Sequence, residues 1–243
     1  MELNLIFETK SISKKVKRRL FKIYSLIIAF LKKTIITINV FLRRYIAIRR
    51  INHILGNLNN ESLVKLNLGC GTDYKIGWIN IDNNNDRNIS KIDLKWDLRY
   101  KLPFEDNSVD LIFNEHFLEH LTIEEGLKAL SDFKRVLKIN GVLRIAMPDL
   151  KATIEEYLDP DWKQRAWLKK FGLDFVQTRA ELININFRSW GHKHLYDQEE
   201  LERRLIEVGY REIRFCELRQ SNILELANLE TRNESILIAE AVK

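Results

Sequence analysis

The chain has 243 residues, 45% of them hydrophobic and 30% charged, with only three prolines and two cysteines. That composition supports one good-sized core plus an appendage, and it excludes Pro-rich linkers and a disulfide framework. Cys70 and Cys216 match no zinc spacing, and such sparse cysteine use suggests a reducing, cytoplasmic compartment. The net charge of +6 is unevenly divided: residues 1–56 hold 13 Lys/Arg against 2 Asp/Glu, and residues 57–243 hold 27 against 32. A basic arm therefore precedes a mildly acidic body, an asymmetry that points the arm toward an anionic membrane or nucleic acid.

Within the arm, Lys14 to Arg44 reads as helix, since neither Gly nor Pro interrupts its apolar periodicity. Lys15, Arg18, Arg19, Lys22 and Lys33 fall on one side; Leu20, Tyr24, Ile27, Leu31, Ile35, Ile38 and Leu42 fall on the other. The apolar runs Ile23–Leu31 and Thr34–Leu42 are split by Lys32-Lys33, each short of the roughly 20 residues a spanning helix needs. The expectation is a basic amphipathic helix over residues 14–44 lying in the plane of an anionic membrane. Packing on the body or on a second subunit is the plain alternative, and a phosphate-binding arm is a third reading. No secretory signal is expected, because the segment stays basic and lacks a small-residue cleavage site.

From Asn57 onward strands alternate with helices. The expected strands are Leu63–Leu68, Trp78–Asp82, Ile92–Leu94, Val109–Phe113, Val142–Ala146 (entered through a turn at Asn140-Gly141), Arg211–Glu217 and Ser235–Ala241. Helices are expected over Ile123–Leu137 and over Gln198–Val208, the latter ended by Gly209 and opened by a capping box of Asp197 and Glu200. This alternation predicts an α/β fold, a mostly parallel sheet with helices on both faces.

In such sheets ligands bind beyond the carboxyl ends of the strands, so the residues that follow each strand carry the chemistry. Gly69-Cys70-Gly71 follows the first strand; without a third glycine before Tyr74, pyrophosphate binding is disfavoured. Asp82 ends the second strand, where a carboxylate can accept both hydroxyls of a ribose; a turn-forming Asp before the Asn83–Asn85 run is the alternative. Asp97 is placed to accept from an adenine amino group with Leu98 against the ring, or is simply a loop acid. Asn114-Glu115-His116 through His120 follows the fourth strand; His116 and His120 at i and i+4 lack the order of a zinc-protease helix, so no metal is assigned.

Together the segments LNLGCG, GWINID, LPFEDNSVDLIF, HFLEHL, RVLKINGVLRIAMPD and GHKHLYDQEELERRLIEVGY resemble the class I methyltransferases, particularly the small bacterial type 11-like group. The resemblance runs from about Leu63 to the C-terminus. It implies a Rossmann-like seven-stranded sheet with an antiparallel last strand, and S-adenosylmethionine as cofactor. It places Asn67, Gly69, Cys70 and Gly71 at the methionine part, Asp82 at the ribose, Asp97 and Leu98 at the adenine, and Asn114 and His116 beside the sulfonium. Asn67 stands where many relatives have an acid and Asp73 where many have a glycine; Asp73 is expected to restore part of the missing charge.

A hydroxyl acceptor benefits from a general base. His116 is the first candidate and Asp149 the second; packing on the cofactor and capping of the next helix are their respective alternatives. Residues 150–190 read as a helical cap rich in Trp162, Trp167, Phe171, Phe175, Phe187 and Trp190, with Arg179 and Arg188 suited to a sugar or another polar ring. His192 and His194 are expected to flank the acceptor. The expected activity is O-methylation of a small molecule or glycan precursor at the inner membrane face by a domain spanning 57–243. A nucleic-acid methyltransferase and a non-catalytic assembly partner are the alternatives; the oligomeric state is not legible.

Overall fold

The computed structural model describes residues 14–57, 62–83, 91–164, 166–170 and 172–243. The chain divides into two compact units, Met1–Arg49 and Arg50–Lys243.

Helix α1, Lys14–Gly56, is continuous over 43 residues. At 1.5 Å per residue it is about 65 Å long. Lys32-Lys33 does not interrupt it, so the two apolar runs join. By length and composition the stretch Arg18–Gly56 is long and apolar enough to cross a membrane, with a mean hydropathy of 1.8 over its 18-residue window. Joined across Lys32-Lys33, the two runs reach a length that neither has alone. Phe21, Leu26, Phe30 and Phe41 are exposed off the expected apolar side, so hydrophobic side chains surround much of this helix.

The second unit is a seven-stranded sheet in the order β3-β2-β1-β4-β5-β7-β6. Its strands are β1 Lys65–Leu68, β2 Ile79–Asp82, β3 Leu94–Lys95, β4 Val109–Glu115, β5 Leu137–Met147, β6 Arg211–Phe215 and β7 Leu237–Val242. The first five are parallel, and β7 runs antiparallel between β5 and β6. The helices are α2 Ile123–Val136, α3 Leu150–Leu158, α4 Ala166–Lys170, α5 Arg179–Arg188 and α6 Gln198–Val208.

Local sequence explains these elements. Apolar residues through β4 and β5 leave Leu111–Phe113 and Val142–Met147 buried, as in a sheet covered on both faces. One layer packs Trp78, Phe113, Ala146, Leu226 and Ile238 together. Helix α2 buries Ala129, Leu130, Phe133 and Val136 at helical spacing. Thr122 caps it by accepting from Glu125 N, while Glu125 returns a carboxylate to Thr122 N. Helix α6 ends at Gly209 in the left-handed region at φ 88°, as its sequence predicts. Its start differs: Asp197 accepts from Glu200 N, but the Glu200 carboxylate pairs with Arg203 and Arg204, so the capping box is half made.

The fifth strand also differs. α2 passes directly into β5, and Asn140-Gly141 lies inside it as a bulge, where the pairing jumps from Val109↔Leu137 to Leu111↔Val142. Asn140 takes φ 64°, and a Cβ on Gly141 would stand 2.9 Å from the Lys138 carbonyl oxygen. The turn residues are used, but to kink a strand instead of opening one.

Candidate cofactor and acceptor site

The strand order reverses between β1 and β4, so the crevice beyond their carboxyl ends is the switch point of the sheet. A cavity of about 320 Å³ lies there, within the range of small-molecule sites. The loop after β1 forms one wall. Gly69 (φ 71°) and Gly71 (φ 51°) both adopt the left-handed conformation that suits glycine. A Cβ on Gly69 would lie 3.0 Å from Phe117 Cβ, so the close approach of the two loops also requires glycine. The Gly69 and Cys70 amides donate to Ile81 O at 2.9 and 3.3 Å, and the Gly71 amide donates to Asp82 Oδ2 at 2.8 Å. The turn is thereby fixed to the end of β2, with the Asp82 carboxylate at the cavity.

The sequence-derived residues separate into two groups. Asn67, Gly69, Cys70, Gly71, Asp82 and His116 line this cavity together. Asp97, Leu98 and Asn114 do not line it. Asp97 is occupied by Arg99, whose Nε and second guanidinium nitrogen reach its carboxylate at 3.0 and 2.6 Å; the Arg99 side-chain hydrogen bonds hold Asp97 below the usual carboxylate range. Leu98 is buried in the core. Asn114 is buried beneath the loop, where its amide donates to Leu68 O at 2.7 Å and ties β4 to β1.

The two unusual loop residues are structural. Asn67 Nδ2 donates to Asp73 O at 2.8 Å and to Asn80 Oδ1 at 2.9 Å, fastening the 73–80 segment. An ionised acid at this position could not donate either bond. Asp73 does not stand as a lone negative charge: Lys75 Nζ lies 2.6 Å from it. The Cys70 thiol is pushed up to about 12, mainly by burial and then by Asp82, which favours the neutral thiol.

Several lining residues had no clear signal in the sequence. Glu115, at the end of β4, accepts from the Thr231 and Arg232 amides and from the hydroxyls of Thr231 and Ser235. Burial opposes its charge, but these bonds, the Ser235 hydroxyl first, hold it below the usual range. Glu115 thus places Thr231 and Arg232 on the cavity wall. Behind them, fully buried Arg144 on β5 donates to Glu230 Oε1 at 2.6 Å, Glu240 Oε1 at 2.7 Å and Gln220 O at 3.0 Å. This network anchors the segment before the wall.

A second, larger cleft of about 930 Å³ opens beside the first and shares His116, His120 and Arg232 with it. Asp149, Thr153, Glu156, Asn186, Trp190 and His192 are among its other residues. Asp149 caps α3 by accepting from Lys151 N at 2.8 Å, and it also faces the cleft. Burial raises its carboxyl above the usual range, against the Lys151 amide and with help from Asp197. His116 Nε2 lies 3.0 Å from Ser235 Oγ, and Nδ1 lies 3.1 Å from Glu119 Oε1 without forming a hydrogen bond. Because the Ser235 hydroxyl donates to Glu115, its oxygen accepts from His116 Nε2, which leaves that nitrogen no lone pair for an acceptor's proton.

Of the expected acceptor residues, His192 lines the cleft while His194 and Arg188 do not. His194 stacks edge-on against Tyr196 with centroids 4.7 Å apart, and Arg188 is exposed with its Nε on Asn184 Oδ1. The aromatic cap is also divided. Trp162 packs with Leu168, Leu173, Val176 and Leu182 in a small core of its own, Phe175 and Phe187 are exposed, and Trp190 lines the cleft. Phe171 and the Trp167 side chain lie outside the described residues.

The donor set fits S-adenosylmethionine. Asp82 offers carboxylate oxygens suited to ribose hydroxyls, and Gly69 and Gly71 leave two positions of the loop wall without side chains.

Residues 66–145 match the family model described as a methyltransferase domain. An uncharacterized protein of Haemophilus influenzae is 51% identical over 43 residues, which is 18% of this chain and 17% of that protein. An uncharacterized protein of Methanocaldococcus jannaschii is 37% identical over 62 residues, 26% of each. The matched stretches thus span about a quarter or less of these curated relatives. Among solved structures, a SAM-dependent methyltransferase from Archaeoglobus fulgidus is 19% identical with a TM-score of 0.46, covering 82% of this chain and 94% of its own. The family match runs from β1 into β5 and so takes in the glycine loop, Asp82 and His116; over that stretch the chain is similar to methyltransferase domains.

Proposed function

We propose that the protein methylates an oxygen of a small molecule or glycan precursor at the inner face of a membrane. The observation that carries this reading is the meeting of two cavities, one at the sheet switch point and one under the 150–190 cap, at His116, His120 and Arg232. A methyl donor in the first and an acceptor in the second would face each other across a shared wall.

S-adenosylmethionine bound there supplies a methyl carbon already activated by a positive sulfur. The chain's own residues bind, enclose and deprotonate. Gly69, Gly71 and Asp82 hold the donor. Trp190 and the α3 side chains flank the acceptor and limit water. Asp149 takes the proton of the acceptor hydroxyl, because its raised carboxyl is the better-matched base and His116 is held by Ser235. In this reading His116 is a positioning residue at the shared wall, not the base.

The length and apolar surround of α1, with its Lys and Arg residues, support attachment to an anionic membrane. The reading is tested by incubating the full chain with methyl-labelled cofactor and separate polar-lipid, glycan-intermediate and nucleic-acid fractions. Label in the lipid or glycan fraction supports the proposal. Label confined to nucleic acid, or to none of the fractions, overturns it.

A further inference from the structure

Where the two cavities meet, the chain gathers a donor set that methyl transfer does not require. Glu119, His120 and His192 each present one ligand atom, and these atoms all lie within 4.8 Å of one another. The arrangement is tertiary. The short 3-10 turn Leu118–His120 sets Glu119 beside His120, and Glu119 O accepts from the Lys193 and His194 amides at 2.8 and 3.2 Å, which brings His192 across. The two imidazoles meet edge-on with centroids 5.1 Å apart. The sequence sets His116 and His120 four residues apart and assigns no metal to them; the fold pairs His120 with His192.

The Glu119 carboxylate makes this more than a cluster. Its side chain is 1% exposed, and neither oxygen has a hydrogen-bond partner among the described residues. His116 Nδ1 comes within 3.1 Å of Oε1 but without hydrogen-bond alignment. A buried carboxylate without hydrogen bonds is costly unless a cation stands against it. His192 is oriented to help hold such a cation. Its Nδ1 contacts Asn186 O at 2.7 Å, which places the proton there and leaves Nε2 as the lone-pair nitrogen. A backbone carbonyl fixing the tautomer of a histidine is the usual outer support of a metal ligand.

We propose that Glu119, His120 and His192 form a divalent transition-metal site, with Zn²⁺ as the ion that best suits two imidazoles and one carboxylate. An ion held at metal–ligand distances of about 2.0–2.2 Å would draw the three atoms closer together. Three protein ligands leave a coordination position open. His120 lines both cavities and His192 the acceptor cleft, so that position is available to an oxygen ligand from the cleft. The site stands on these donors alone and does not depend on which acceptor is methylated.

The test is direct titration of chelator-treated, full-length protein with Zn²⁺ by calorimetry and with Co²⁺ by visible absorption, without cofactor. The expected result is one ion per chain and a cobalt band of a tetrahedral nitrogen–oxygen site. His192→Ala and Glu119→Gln should each weaken binding by at least about tenfold. Thermal melts identify a variant that fails to fold, and the conservative Glu119→Gln then carries the comparison. No saturable binding of either ion to the native protein, or unchanged affinity in either folded variant, overturns the proposal.

Discussion

Replacing Arg144 with Met should be among the most damaging single substitutions in the domain. The guanidinium is fully buried and donates to two carboxylates and one carbonyl, with Glu230 and Glu240 almost equally buried. Met fills similar volume, so the cavity term is small and the cost is the carboxylate left behind. Glu240 keeps Arg214 as an ionic partner, whereas Glu230 keeps the neutral Arg219 amide, so the loss falls chiefly on Glu230. Removing one partner of a buried ion pair costs about 3–5 kcal/mol. For a domain of this size that lowers Tm by roughly 6–20 °C. Adding Glu230→Gln removes the stranded charge, so the double variant should regain part of the loss, and the coupling between the two sites should be about 1–3 kcal/mol. Urea and thermal unfolding of the four proteins give the cycle. A single-variant cost below about 1 kcal/mol, or strict additivity, would refute the assignment of Arg144 as the anchor of the cavity wall.

Gly69→Ala should weaken cofactor binding, since a left-handed Ala costs about 1–2 kcal/mol and its methyl meets Phe117; an unchanged Kd by calorimetry would remove the close approach from the account. Asp149→Asn should cut turnover about 10²–10⁴-fold while leaving cofactor affinity intact. Because the ionised carboxylate is the base and burial raises its pKa, the rate of the native enzyme should rise with pH through a value above the usual carboxylate range, and the Asn variant should lose that limb. The full chain should co-float with vesicles containing anionic lipid, and flotation should persist in nucleic-acid-free preparations; recovery only with RNA would favour a phosphate-binding arm.

The strands were readable because short apolar runs end in Gly69 or Asp82, at points where a parallel sheet must turn and where ligands gather. The adenine-side residues were less readable. Asp97 has the right place in the chain, but Arg99, two residues on, captures its carboxylate, and nothing in the spacing reveals that rotamer. Asn67 reads as a weakened cofactor contact; the structure adds that its amide also secures the loop through Asp73 and Asn80. The cluster at Glu119 was half visible: HFLEHL contains two of its ligands, while His192 arrives only through the backbone bonds of Lys193 and His194 to Glu119. Arg144 gave no signal at all, because an Arg inside VLRIA reads as an exposed position until its two acids, far along the chain, fold over it.

We propose that the crevice between β1 and β4 binds S-adenosylmethionine through the glycine loop and Asp82. Calorimetry of the full chain with the cofactor tests it most directly. One molecule should bind per chain, and binding should be about 10–100-fold weaker in Asp82→Ala, the loss of a charged hydrogen-bonding partner. No detectable binding to the native chain, or equal affinity in the variant, would contradict it.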